Sequence, residues 1–284
     1  MIPSRFEYQR ATSLEDAIAR LEATKGSGKL LAGWHSLIPL MKLRLSEPEV
    51  LIDISQIADL VGIRDRGKTI EIGAATVHHV VATSTLLAER CPVMAEAASQ
   101  IGDQQVRNLG TVGGSIAHAD PAADYPAALL AIDAEICLVG PNGERVVKAR
   151  DFFQDIFTVD LAPNEVVVCV RFGLCPASAY AKLHQRASRF AIVGVGAALD
   201  ASNGTIQSVR LGLTGATSHA VRLTNVEATL SGKELSAENI SAAVQDAGAD
   251  LPAINSDIHA GEGYRRAMIP VLARRALDKA RVLV

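Results

Sequence analysis

The chain is poor in the residues that carry metals, disulfides or aromatic platforms. It has 4 cysteines, 1 tryptophan and only 4% aromatic residues. The cysteines Cys91, Cys137, Cys169 and Cys175 form no C-x-x-C pair, and no Cys/His cluster has the spacing of a metal site. The seven histidines are dispersed except for His78-His79, whose adjacent side chains would point to different faces of one element. A chain without its own metal is expected, with buried free thiols at Cys137 and Cys169 and a reducing, cytoplasmic setting. Long apolar runs are also missing. The longest, Tyr125 to Val139, is broken by Asp133 and Glu135, short of the roughly 18 residues a spanning helix needs. The first ten residues carry Arg5, Glu7 and Arg10 with no apolar region, so neither membrane insertion nor a secretory signal is expected. Charge of one sign is lacking as well. The 28 Lys and Arg nearly balance 31 Asp and Glu, which excludes a basic footprint for nucleic acid.

What is present is 284 residues, 49% of them hydrophobic, enough for about two domains with aliphatic cores. Thr12 three residues before Glu15 predicts a capping box and a helix carrying Leu14, Ile18 and Leu21. A short strand at residues 29–32, a turn at Gly33, a helix from an Ser36 N-cap through Leu45 and a strand at 50–54 read as a β-α-β unit. A hairpin around Arg66-Gly67 follows, then helices near Thr76 and from Pro92 to Gln100. Strands are predicted at 134–139 and 145–149, joined at Pro141-Asn142-Gly143, and at 165–172. The breaker-rich stretch 173–178 is the expected domain boundary. Beyond it, residues 180–184, 191–200 and 205–213 read as a three-stranded antiparallel meander turning at Asn203-Gly204. Helices are predicted at 224–230, 236–247 and 264–282, the last with Met268, Val271 and Leu272 on one face and its arginines on solvated faces.

Two small-residue loops stand out, Ala32-Gly33-Trp34-His35-Ser36 and Thr111-Val112-Gly113-Gly114-Ser115. Successive backbone N–H groups in such turns can approach a phosphate closely, and two turns together could clasp a pyrophosphate. Ordinary tight turns use the same residues, so local chemistry leaves both readings open. Neither loop is a P-loop or G-x-G-x-x-G, and the near match Gly194-Val195-Gly196 lies in a strand-like run where glycine marks close packing. Asp120 and Asp124 precede a helix, so capping is an alternative to ligand binding for each.

The run from Leu31 to Leu45, the run from Gln105 to Pro126, the opening Ile2 to Tyr8 and the segment Ala187 to Val195 closely resemble the FAD-binding medium subunit of molybdenum hydroxylases. That resemblance spans essentially the whole chain. It implies an α+β fold: a two-subdomain FAD-binding domain of the vanillyl-alcohol oxidase (PCMH) type over residues 1–176, with subdomains of about 1–57 and 58–176, and a carbon monoxide dehydrogenase flavoprotein C-terminal domain over 177–284. It also implies that Leu31, Ala32, Gly33, Trp34, His35, Ser36 and Leu37, with Thr111, Val112, Gly113, Gly114 and Ser115, hold the FAD pyrophosphate. Asp124 would bind the adenosine ribose; Ile101, Val167 and Lys182 would line the cofactor; Phe190 would lie near the isoalloxazine ring. The chain departs from the family pattern at Trp34, where glycine is common, at Ser115, where asparagine is, and at Gln104, where proline is. A tryptophan is costly at that position if its φ is positive.

The function implied is electron transfer by the flavoprotein subunit of a heterotrimeric molybdenum hydroxylase. FAD would be the only cofactor on this chain. The molybdenum cofactor would sit in a large subunit and two [2Fe-2S] clusters in a small one, within a dimer of heterotrimers, and NAD+, a quinone or dioxygen would accept the electrons. No side chain here would act as acid, base or nucleophile toward the organic substrate, because the flavin carries the redox step. A stand-alone flavin oxidoreductase, or a flavin-free assembly subunit if Trp34 blocks the first loop, are the alternatives.

Overall fold

A computed structural model describes residues 2–284. Three sheets of three or more strands follow one another along the chain. The first is parallel, with β1 (Glu7–Arg10), β2 (Gly28–Leu31) and β3 (Val50–Asp53) in the order β1-β3-β2. Strand β1 escapes the period-2 signal because its mainly exposed residues are almost all polar. The helix Leu14–Ala23 is capped one residue later than expected. Ser13 accepts the amide of Asp16, while the Asp16 carboxylate accepts the amide of Thr12, so Asp16 takes the part assigned to Glu15. The helix after the first loop is short, Leu37–Lys42, and Ser36 precedes it in a helical conformation without a side-chain cap.

The second sheet contains β4 (Ile63–Asp65), β5 (Thr69–Gly73), β6 (Glu135–Gly140) and β7 (Gly143–Lys148). A small hairpin of β8 (Phe153–Asp155) and β9 (Thr158–Val159) precedes its central strand, β10 (Val166–Gly173), and the order is β4-β5-β10-β6-β7. Helices Pro92–Ser99 and Tyr125–Ala131 supply part of the core above this sheet, and every residue of the second is buried.

The third sheet is the expected meander, β11 (Ser178–His184), β12 (Ala191–Ser202) and β13 (Thr205–Thr214), extended by the two-residue β14 (Val221–Arg222). Its strands pack against helix Tyr125–Ala131 where glycine lets the backbones meet: a Cβ at Gly196 would lie 2.9 Å from the Ala127 carbonyl. The Gly194-Val195-Gly196 run is therefore a packing device. The opposite face is covered by the 20-residue helix Glu262–Arg281 through Ile269, Leu272, Ala273 and Ala276. Two expectations fail on this helix. Val271 faces solvent, and Arg265 is buried, donating to the carbonyls of Ile192 (2.7 Å) and Gly215 (2.8 Å) and to Asp257 (2.5 Å). A guanidinium with several fixed acceptors tolerates burial; one without them would not.

Candidate functional site

The end of β2 delivers the chain into the first loop, where Trp34 adopts φ +66°. This is the left-handed region the Gly-to-Trp departure placed at risk, at a cost of about 1–2 kcal/mol for an L-residue. The indole is half-exposed, so the strain does not come with an occluded loop. Among the described residues, the backbone N–H groups of Gly33, Trp34, His35 and Ser36 find no acceptor in the protein, and the turn at His35-Ser36 then leads into the helix. Four consecutive free donors are the kind of edge that can receive an anion. Gly33 is required for another reason: its Cβ would fall 2.7 Å from the Gly110 Cα and 2.8 Å from the Thr111 nitrogen. The two loops therefore touch.

The second loop differs from expectation. Thr111 is the N-cap of helix Val112–His118, its Oγ1 accepting from the Gly114 amide at 3.2 Å. The amides of Val112 and Gly113 donate to the carbonyls of Thr76 (3.0 Å) and Ala74 (2.7 Å). A Cβ on Gly113 would meet Ala74. The small residues here serve close packing against residues 74–76, so the two loops are not equivalent clasps. The first presents free donors; the second, its amides already taken, supplies a wall.

Between the loops lies a cleft of about 760 Å³, large among the roughly 300–1,000 Å³ pockets that enclose organic ligands. Its walls include Leu31, Ala32, Gly33, Trp34, His35, Ser36, Leu37, Ile101, Thr111, Gly113, Gly114, Ser115, Asp124, Val167 and Phe190. Two expected residues do not reach it. Val112 is fully buried beneath its helix, and Lys182 stands behind Asp124.

Asp124 is 4% exposed, and its capping alternative fails because the side chain makes no bond to the following helix. Instead Oδ1 accepts from the Tyr180 hydroxyl at 2.6 Å and Oδ2 from the Lys182 ammonium at 2.8 Å. Burial raises the carboxyl pKa and lowers that of Lys182, while each partner's charge opposes the other's shift. Asp120 closes a local turn by accepting the Ala122 amide at 2.8 Å. The carbonyls of Pro121, Ala122 and Ala123 are in turn taken by the Gly215 amide, the Ala191 amide and the Thr214 hydroxyl. The segment 121–124 is thus held almost entirely by the third sheet, and the bond to Ala191 anchors Phe190, 48% exposed, beside it.

Sequence reading missed three cleft residues. His78 is buried, its Nδ1 lies 3.1 Å from the Tyr125 hydroxyl, and desolvation, reinforced by His35 and Arg107, pushes its pKa down to about 3. His118 stacks on Phe157 with ring centroids 5.1 Å apart. Phe157 sits at φ +51° at the tip of the β8–β9 hairpin, a position without a sequence signal. Only the His78-His79 pair was visible, and the two rings do diverge: His79 faces Gln104. Among the described residues no cluster of three or more metal-ligating side chains exists, and no helix is long and apolar enough to cross a membrane.

Residues 4–174 match the family described as FAD binding domain in molybdopterin dehydrogenase, and residues 178–280 match the CO dehydrogenase flavoprotein C-terminal domain. The chain is 40% identical over 283 residues to the carbon monoxide dehydrogenase medium chain of Hydrogenophaga pseudoflava, covering 99% of this chain and 98% of the relative. It is 34% identical to the glyceraldehyde dehydrogenase medium chain of Sulfolobus acidocaldarius, covering 98% and 99%. A solved structure of carbon monoxide dehydrogenase from H. pseudoflava superimposes with a TM-score of 0.94 at 41% identity, covering 99% of both chains.

Proposed function

We infer, from a chain that belongs to the FAD-binding medium subunits of the molybdopterin dehydrogenases, that the cleft holds FAD and that the first loop carries its pyrophosphate. The run of unpartnered amides from Gly33 to Ser36 carries this reading, because a doubly charged group supplies the acceptors those donors lack. Ser115, inside the helix Val112–His118, lines the same cleft from the second loop. Asp124, still able to accept from a hydroxyl at its remaining lone pairs, binds the adenosine ribose. Ile101 and Val167 would line the cofactor, and Phe190 would lie near the isoalloxazine ring. Lys182 acts through Asp124, holding the carboxylate in place. The bound flavin accepts and releases electrons singly or in pairs.

The subunit passes electrons within a multi-subunit molybdenum hydroxylase. Its partners are an iron-sulfur small subunit and a molybdopterin large subunit, in a dimer of heterotrimers in the cytoplasm, with NAD+, a quinone or dioxygen as terminal acceptor. The proposed division is residues 1–176 for the flavin domain and 177–284 for the C-terminal domain. Medium chains similar to this one are named for oxidising carbon monoxide, glyceraldehyde and nicotine, so the organic substrate is chosen elsewhere in the complex. The alternative of a flavin-free subunit needed Trp34 to close the cleft, and the cleft is open with Trp34 in place.

The test is a titration of flavin-stripped protein with FAD, read by visible absorption and by the fluorescence of Trp34, the single tryptophan. Saturable uptake of one FAD per chain with quenching is expected. Protein that takes up no FAD overturns the reading, and reduction of the bound flavin by an organic donor without partners would return the stand-alone alternative.

A further inference from the structure

Cys137 and Cys169 lie directly opposite one another on the antiparallel strands β6 and β10. Both are free. Neither packs with the core beneath: Ile136 and Leu138 on one strand and Val170 on the other point into it, while the two cysteines share the outer face with the Arg171–Glu135 ion pair (2.8 Å) and Glu71. The expectation of two buried thiols therefore holds for Cys169 alone; Cys137 is half-buried. Directly opposed residues in an antiparallel pair have Cα atoms about 4.5–5.5 Å apart, inside the roughly 4.4–6.8 Å range that a disulfide spans.

We propose that Cys137 and Cys169 form a dithiol site that hydroperoxides oxidise reversibly to a cross-strand disulfide. Cys137 is the attacking thiol. It is the more exposed, and the neighbouring Cys169 thiol, aided by the Arg171 charge, favours its thiolate, while the same pairing raises Cys169. The Cys137 thiolate attacks one oxygen of hydrogen peroxide, the O–O bond breaks, and hydroxide leaves to be protonated to water. Cys169 then gives up its proton and attacks the sulfenic sulfur; the S–S bond forms, the S–O bond breaks and a second water leaves. The two thiols lose two electrons and the peroxide gains them. Because the resolving thiol is in register, Cys137 is captured before it climbs to the irreversible sulfinic acid. Strand β10 also carries Val167, two residues from Cys169, into the cleft wall. A reduced flavin there would release hydrogen peroxide on meeting dioxygen; that context rests on the flavin reading, and the thiol chemistry does not.

The test is to treat the full chain, flavin-free and flavin-loaded, with hydrogen peroxide, block remaining thiols by alkylation and map peptides by mass spectrometry. Expected is a cross-linked Cys137–Cys169 peptide pair, with loss of alkylation at both residues and full recovery after dithiothreitol. In Cys169→Ala, dimedone should trap a sulfenic acid at Cys137 that otherwise proceeds to sulfinic acid. Wild-type protein that accumulates sulfinic acid at Cys137 without the cross-link overturns the proposal. So does oxidation confined to Cys91 and Cys175, or no oxidation at all.

Discussion

The Lys182 ammonium lies 2.8 Å from the Asp124 carboxylate with its own side chain fully buried, and the pair joins segments 58 residues apart in the chain. Deleting one member of a buried pair costs about 3–5 kcal/mol, because the survivor is left uncompensated. Lys182→Met should therefore lower the melting temperature and push the Asp124 pKa further up, since burial already raises it and Lys182 is the main opposing influence. The folded variant then binds a proton the unfolded chain has released, so its stability should fall as pH rises above the ordinary carboxylate range. Thermal melts of both proteins across pH 4 to 8 measure this. A variant whose stability deficit does not grow with pH would contradict the pairing.

At the first loop, shape and strain can be separated. Trp34→Gly relieves φ +66° while keeping every amide donor, so stability should hold or rise by up to about 1 kcal/mol with FAD affinity retained. Gly33→Ala drives a Cβ to 2.7 Å from the Gly110 Cα and should cost about 1–3 kcal/mol by overpacking. It should also weaken FAD binding by forcing the loops apart. Urea unfolding and FAD titration of the two variants provide the comparison; equal behaviour would mean that the loop contact is unimportant.

Features whose causes are local in the chain were legible. The first loop, the Asn203-Gly204 turn and the helix at Pro92 each follow from a few adjacent residues. The buried pairing of Asp124 was not legible, because its partners Tyr180 and Lys182 arrive from β11. The same non-locality hid the buried state of Arg265, one arginine among several on its helix, whose acceptors lie at Ile192, Gly215 and Asp257. It also hid the commitment of the second loop's amides to Ala74 and Thr76. Strand β14, only two residues long, has too few positions to show a period.

His78 should make the protein acid-sensitive. Its pKa is about 3 in the folded chain against 6.5 for a free histidine, so between those values the unfolded chain holds a proton that the folded chain does not. Stability should therefore be unaffected above pH 6.5 and decline as pH falls toward 3, by several kcal/mol at most. His78→Asn, which can still meet the Tyr125 hydroxyl, should remove this component. Chemical denaturation at pH 7 and pH 5 should show a smaller pH-dependent loss in the variant, and parallel losses would assign the sensitivity to other groups.

Thr214 tests whether the third sheet builds the cofactor site rather than merely adjoining it. Its hydroxyl is fully buried, 2.9 Å from the Pro121 carbonyl and 2.7 Å from that of Ala123, at the start of the segment that ends in Asp124. Thr214→Val keeps the shape but removes the donor, leaving buried carbonyls short of a partner at about 1–3 kcal/mol. If segment 121–124 is shaped by that donor, FAD affinity should drop roughly tenfold for each 1.4 kcal/mol transferred to the site. Thr214→Ser, which restores the donor with one methyl fewer, should recover affinity while keeping a small packing deficit. A valine variant that loses stability yet binds FAD as wild type would show that the sheet supports the fold alone, whereas loss with valine and recovery with serine ties the cofactor to the C-terminal part of the chain.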